Sequence, residues 1–173
     1  MKCPCCGFDN LPGSDSCDNC QASLSQDDVP QPGGAMERSL MEEPVVCLQP
    51  LRPLTVDPHT SLDEAVSLMR NHGIGCVLVT DAAGVLAGIL TERDLLQKVA
   101  GRGLDPVQLQ VADCMTAAPE YSKPAHPLGS ALQRMVVSDI RYLPLVDDSG
   151  RPVGIVSSRD VIAYMAKRFR EIA

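Results

Sequence analysis

Two stretches of this chain match each other without a gap. Gly88-Ile89-Leu90-Thr91-Glu92-Arg93-Asp94 returns later as Gly154-Ile155-Val156-Ser157-Ser158-Arg159-Asp160. The same shift carries Pro58 onto Pro124, Leu62 onto Leu128, Ala65 onto Ala131, Met69 onto Met135, Ile74 onto Ile140, Asp81 onto Asp147 and Gly84 onto Gly150. A repeat of this kind implies that one copy alone does not bury its apolar face and that the copies stack. Any site is then expected twice, in the cleft between them.

Each copy reads as short strands alternating with helices. In the first, Ser61 is placed to cap a helix, with Glu64 completing a capping box, and Ala65, Leu68 and Met69 recur on one face. Asn71-His72-Gly73 ends that helix. Residues 76–79 read as an apolar strand, 81–84 as a turn, 85–90 as a second strand and 91–99 as a second helix. The second copy repeats the order. Its first helix starts near Leu128, where Ala125-His126-Pro127 replaces the cap and is expected to displace the start. Strands follow near 142–146 and 151–156, and a last helix runs from about Ser158 to Phe169.

The doubled ending Gly-hydrophobic-hydrophobic-Thr/Ser-x-x-Asp, with the helix pattern Ser61-Leu62-Asp63-Glu64-Ala65 to Met69, resembles the CBS domain family over roughly residues 45 to 170. Two such units make a tandem pair, a Bateman module. Val111-Ala112-Asp113-Cys114-Met115-Thr116 resembles the short entry, or lead-in, that often precedes a unit of the CBS domain family. The first copy shows no clean equivalent, with Gln49-Pro50-Leu51-Arg52-Pro53 in its place. The resemblance implies an α+β fold of two β-α-β-β-α repeats packed as a pseudo-symmetric pair. It further implies that Thr91 and Ser157 contact a phosphate, that Asp94 and Asp160 hold ribose hydroxyls, and that Arg93 and Arg159 add positive charge. Adenine would lie against Val56, Ile74 and Cys76 in one copy and Ile140, Tyr142 and Leu143 in the other. Family members often pair into a disc, so a homodimer is expected. The residues themselves admit a plainer reading. Thr-x-x-Asp and Ser-x-x-Asp are capping boxes, although helix N-termini also attract phosphate.

A different chemistry opens the chain. Five of its eight cysteines fall in the first twenty residues. Cys3 with Cys6, and Cys17 with Cys20, form two C-x-x-C knuckles that can place four thiolates around one ion, which suits zinc. Iron in a rubredoxin-like site is the alternative metal. Pro4 and Gly7 help tighten the first knuckle, and Cys5 is a spare thiol that could substitute for Cys3 or Cys6. Only Phe8, Leu11 and Leu24 offer apolar core, and segments below about 40 residues usually need a metal or disulfides to fold. The arrangement resembles a short zinc ribbon. Pro-, Gly- and Ser-rich sequence follows it, so the expected domains are a ribbon over 1–24, a flexible linker over 25–44, in which 36–43 can form a short helix ended by Pro44, and repeats over 45–104 and 105–173.

Charge and composition narrow the function. The net charge is −7, and the ribbon carries Lys2 against Asp9, Asp15 and Asp18. Phosphate-backbone binding relies on Lys and Arg, so nucleic acid is not the expected partner. No apolar stretch approaches the roughly 20 residues that span a bilayer. Met1-Lys2-Cys3-Pro4 does not begin an export signal. The expected location is therefore the cytoplasm, with cysteines reduced or metal-bound. His59, His72 and His126 form no metal or catalytic set, and no nucleophile–base pair or phosphate loop is visible, so an enzyme is not expected. The expectation is a regulatory module that senses an adenine-containing nucleotide such as AMP or ATP, with a structural zinc ribbon contacting a partner protein. The alternatives are a ligand-independent dimeric scaffold and a redox sensor that expels its metal.

Overall fold

The structure is a computed structural model that describes residues 2–3, 5–11, 14–24 and 34–172, without side-chain detail at 35–37 and 172. Pro4 of the first knuckle and residues 25–33 of the expected linker lie outside the described residues. The remainder of that linker is not featureless. Residues Ala35–Glu42 form helix α1, and Pro44 follows its C-cap Glu43.

The first copy follows its pattern closely. β1 (Thr55–Val56), α2 (Leu62–His72), β2 (Cys76–Thr80), β3 (Leu86–Thr91) and α3 (Glu92–Lys98) come in order. α2 starts where Ser61 Oγ accepts the Glu64 N–H at 3.2 Å. The reciprocal half of the expected box is not formed; Ser61 instead makes a β-bridge with Gln110. Gly73 closes α2 at φ +62°, a left-handed conformation that glycine adopts freely. β1 runs parallel to β2, β2 antiparallel to β3, and β3 antiparallel to β4 (Thr116–Ala117), which gives a mixed four-stranded sheet.

The second copy supplies α4 (Val111–Cys114), α5 (Leu128–Val137), β5 (Tyr142–Val146), β6 (Pro152–Ser157) and α6 (Ser158–Ile172). Strands β5 and β6 form a separate two-stranded sheet. α5 is not displaced by Ala125-His126-Pro127, for Leu128 starts it as Leu62 starts α2. No side chain caps it; the Leu128 N–H donates instead to the Glu43 carbonyl at 2.8 Å.

That bond belongs to a set. Leu62 N–H donates to Leu109 O at 2.8 Å, and Leu128 N–H to Glu43 O at 2.8 Å. Val111 N–H meets Thr60 O, and Val45 N–H meets His126 O; Ala112 N–H meets Pro58 O, and Val46 N–H meets Pro124 O. Each member of one set is carried onto its counterpart by the same shift that relates the two copies. The first copy therefore does have a lead-in, the 3₁₀ turn Val45–Leu48, immediately before the stretch that sequence suggested. Its fully buried Val45 matches fully buried Val111.

The exchange of lead-ins decides how the chain divides. Its two compact units are 51–121 with 144–155, and 1–50 with 122–143 and 156–173. The first holds the four-stranded sheet, α2, α3 and the lead-in of the second copy. Its core is Leu62, Ala65, Met69, Val77, Val79, Leu90, Val111 and Cys114. Gly88 makes room there for Met115 and β4, since a Cβ would stand 2.4 Å from Met115 Sδ and 3.2 Å from Thr116 O. The second unit holds α1, the lead-in of the first copy, α5, α6 and the cysteine segment.

Burial of Val45 and Val111 generates a test. Val45→Ala and Val111→Ala each remove buried methyl groups, and each should cost about 2 kcal/mol. Denaturant unfolding reads both values. A neutral Val45→Ala would mean that the 3₁₀ turn is not docked.

Candidate functional sites

The four knuckle sulfurs converge. Sγ atoms of Cys3, Cys6, Cys17 and Cys20 all lie within 4.8 Å of one another, with Cys3–Cys20 at 3.7 Å and Cys6–Cys17 at 3.6 Å. A tetrahedron with Zn–S bonds of about 2.3 Å has edges of about 3.8 Å. The backbone repeats around the two pairs. Cys3 N–H donates to Phe8 O and Gly7 N–H to Cys3 O; Cys17 N–H donates to Ala22 O and Gln21 N–H to Cys17 O. Gly7 turns the first knuckle at φ +72° and Gln21 the second at φ +59°. Sequence inspection found the glycine and missed Gln21, because nothing about a glutamine announces a left-handed turn.

Polar groups surround the sulfurs. Asn10, itself buried, points its amide at Cys17 Sγ at 3.5 Å and accepts the Asp18 N–H at 2.9 Å. Asn19 reaches Cys6 Sγ at 3.7 Å, and the Cys5 N–H reaches Cys3 Sγ at 3.4 Å. Burial opposes ionisation of Cys17, but N–H groups of Cys20 and Asn19 and the Asn10 amide outweigh it and draw the thiol down to about 6. Such donors orient metal ligands and stabilise thiolate charge. Cys5 stands apart from the four. Its thiol donates to Gln133 Oε1 on α5 at 2.9 Å. Leu24 packs with the cysteines, whereas Phe8 and Leu11, expected as core, are exposed.

The Thr/Ser-x-x-Asp endings form as capping boxes, but the two are not alike. In the first, Asp94 is 6% exposed and surrounded. Its Oδ2 accepts Thr91 N–H at 3.0 Å and Thr91 Oγ1–H at 2.6 Å. Its Oδ1 accepts Lys98 Nζ at 2.8 Å and Thr116 Oγ1–H at 2.9 Å. Lys98 also donates to the carbonyls of Cys114 and Met115 at 2.7 and 3.1 Å, so the network ties α3 to the lead-in α4. Burial alone would raise the Asp94 pKa; Lys98, Thr91 and Thr116 outweigh it and hold the carboxyl below its ordinary value. Neither Lys98 nor Thr116 was visible as a partner from sequence.

In the second ending, Asp160 Oδ2 accepts Ser157 N–H and Ser157 Oγ–H, both at 2.7 Å. Among the described residues no donor reaches Oδ1. The position corresponding to Lys98 is Tyr164, whose hydroxyl donates to Glu43 Oε2 at 2.6 Å, with Arg168 bonded to both. Asp160 is half-buried rather than enclosed.

The other expected ligand contacts also divide by copy. Val56, Ile74, Cys76, Thr91, Arg93 and Asp94 fall in one compact unit; Ile140, Tyr142, Leu143, Ser157, Arg159 and Asp160 fall in the other. Cys76 pairs in register with Thr91 and is 6% exposed, and burial pushes its thiol up to about 12. Val56 and Ile74 pack against the core. Ile140 and Tyr142 are half-buried, and Arg93 and Arg159 are exposed. Leu143 was expected in an adenine slot, but it is fully buried in strand β5 and offers no open face.

The repeated fold agrees with the comparisons to known proteins. The CBS domain family matches residues 38–101 and 111–167. The chain is a member of the CBS domain family, with two copies of the domain. The cysteine segment precedes the matched residues. Over 107 residues the chain is 37% identical to the CBS domain-containing protein YhcV of Bacillus subtilis, covering 62% of this chain and 74% of that protein. Over 109 residues it is 35% identical to the uncharacterized protein MK0525 of Methanopyrus kandleri, covering 63% and 56%. The chain thus spans little more than half of the latter. The solved CBS domain pair of protein MJ0100, in complex with 5'-methylthioadenosine and S-adenosyl-L-methionine, superposes with a TM-score of 0.66 at 26% identity, covering 72% of this chain and 97% of that one. Among the described residues no helix is long and apolar enough to cross a membrane.

The contrast between the two carboxylates is measurable. Asp94→Asn should cost about 2 kcal/mol, because it disrupts a buried network bonded to a charged group, with part of the Lys98 contribution screened by its exposure. Asp160→Asn should cost less than about 1 kcal/mol, since it leaves only the exposed half of a cap altered. The acid dependence has a definite sign. The folded-state pKa of Asp94 is depressed, so its contribution is full above the ordinary Asp value near 3.9 and is lost as pH falls through the lower folded value. Acid unfolding curves should therefore change slope in Asp94→Asn. Equal behaviour of the two variants would contradict the assigned networks.

Proposed function

We propose that the chain is a regulatory module that senses an adenine-containing ligand through its second CBS repeat. The observation that carries this reading is the open Oδ1 of Asp160 beside the Ser157 cap, set against the fully engaged Asp94. A carboxylate with a free oxygen can accept ribose hydroxyls, and a helix N-terminus favours a polar or anionic group beside it. Ile140 and Tyr142 supply the apolar surface for a base, with Arg159 at the rim. The ligands of the MJ0100 pair support the adenosine class. A ligand regulates only through a difference in affinity between two states of the protein. The first repeat, held by Lys98 and Thr116 without a ligand, serves as the fixed reference. The chain acts by binding and not by catalysis.

Calorimetric titration with S-adenosylmethionine, 5'-methylthioadenosine, AMP and ATP tests this. At least one should bind saturably, about one per chain, at micromolar levels. Asp160→Ala should weaken that binding more than about tenfold, the order expected when a charge-assisted hydrogen bond is removed. Absence of heat across the panel would favour the second reading, a ligand-independent scaffold, to which the self-contained Asp94 network lends support. Sedimentation of the same samples reports the homodimer proposed under both readings, for which exposed Leu96 and Ile162, related by the repeat shift, are the apolar contacts.

The four converging thiols hold structural zinc in this proposal. Four thiolates leave no open coordination position for catalysis. Exposed Phe8 and Leu11 give the ribbon an apolar surface for a protein partner in the cytoplasm. Among the described residues of the segment, Leu24 is the one buried aliphatic side chain larger than alanine, so the segment depends on its metal. Binding free energy of about 10–16 kcal/mol in finger peptides becomes folding free energy. Chelation should abolish amide protection over residues 2–24 and leave that of β2 and β3 intact. Protection in the ribbon that survives metal removal would contradict the zinc assignment.

A further inference from the structure

The two copies differ most tellingly on one face of α5. Gly129 stands where the first copy has Asp63, and Gln133 where it has Ser67. The positions are four apart, so they share a helix face. Both meet the N-terminal part of the chain. A Cβ at Gly129 would stand 3.0 Å from Leu40 O, so this glycine allows α1 to lie against the first turn of α5. Gln133 accepts the Cys5 thiol at 2.9 Å and directs its amide at Cys20 O at 3.4 Å. It thus touches both knuckles of the ribbon. Beside it, a Cβ at Gly7 would come within 3.9 Å of His126 Nε2.

We infer that this face of α5 is a built seat for the N-terminal arm, in which Gly129 receives α1 and Gln133 clamps the ribbon through Cys5 and the Cys20 carbonyl. The ribbon is then a docked component of the second unit and not a tethered knob. Its spare cysteine is the docking residue. An ordinary solvent-facing helix position needs neither a glycine, which weakens a helix relative to alanine, nor an amide directed at two separate loops. Ser67 at the corresponding place on α2 is too short to bridge two knuckles, which explains why one arm selects one of two similar helices. The seat also links the two chemistries of the chain. α5 ends at Val137, Ile140 N–H donates back to Met135 O, and Ile140 belongs to the adenosine surface proposed above. A metal state that holds the ribbon in place therefore steadies the helix leading to that position. This last link rests on the zinc and ligand readings given above; the seat does not.

Hydrogen–deuterium exchange of the full chain, with bound zinc measured in parallel, tests the inference. Gln133→Ala should raise exchange in residues 14–24 and 128–137 by about tenfold, the scale of one or two lost hydrogen bonds in a local opening. β2 and β3 should be unchanged. Cys5→Ala should produce the same pattern while retaining a full equivalent of zinc. Gly129→Ala should raise exchange in residues 35–42. Unchanged exchange in Gln133→Ala and Cys5→Ala would overturn the seat. Loss of zinc in Cys5→Ala would overturn the docking role by making Cys5 a ligand. A wild-type chain that binds no zinc would refute the metal reading alone, since the Gln133→Ala comparison would still decide the seat.

Discussion

The structure depends on a reciprocal set of backbone hydrogen bonds in which each repeat's lead-in closes onto the first helix of the other. Leu62 N–H to Leu109 O and Leu128 N–H to Glu43 O begin the set, and Val45 and Val111 are buried at its centre. Helix N-termini leave N–H groups that need partners. Here the partner of one exposed donor in each copy comes from the other copy's lead-in. Each repeat takes the partner of its helix's first N–H from the other. A single copy expressed alone would expose both a donor and the apolar slot that a valine fills. This is why the compact units cut across the sequence repeats, and why duplication of the unit carries stability as well as symmetry.

Symmetry of the backbone leaves the side chains free to diverge, and they diverge where chemistry is expected. Position 98 is lysine and its counterpart is Tyr164. Lysine reaches Asp94 and two carbonyls of the lead-in; tyrosine turns instead to Glu43, where Arg168 joins it. Both substitutions fasten the last helix of a copy to a lead-in, so the mechanical task is conserved within the chain. The electrostatic outcome differs. One carboxylate loses its remaining acceptor capacity to a lysine, and the other keeps it. Two exchanges of side chains, Lys98 for Tyr164 and Thr116 for Pro50, thus separate a structural box from one with an oxygen to spare.

Much of this was legible from residues. The gapless shift located both copies, their helices and the turn glycines, because those depend on local pattern. The two C-x-x-C pairs located the sulfurs. What escaped notice was tertiary. Val45-Val46-Cys47-Leu48 shares only its first valine with Val111-Ala112-Asp113-Cys114. Gln110 N–H donates to Asp113 Oδ2 at 2.9 Å to make a local box; Pro44 has no N–H and Cys47 no carboxylate, so the first copy forms a 3₁₀ turn without that signature. Lys98 drew no reading from sequence, because what its ammonium reaches beyond Asp94 is the carbonyls of Cys114 and Met115, in the lead-in of the other copy. The resemblance placed Leu143 in the slot, but residues 143–146 of β5 are all buried, so burial there follows packing that a single sequence does not show.

The cysteine segment shows the same logic at smaller scale. Its two knuckles share one hydrogen-bond scheme, yet glycine turns one and Gln21 the other. A side chain in the left-handed region costs energy that glycine avoids. The zinc proposed for the four sulfurs would supply a binding free energy large enough to offset that cost, which the little apolar burial of this segment does not. Symmetric backbone, asymmetric side chains and an external source of stability therefore recur at both levels of the chain. In the repeats the external source is the other copy's lead-in, and in the cysteine segment it is, on the zinc reading proposed above, the metal.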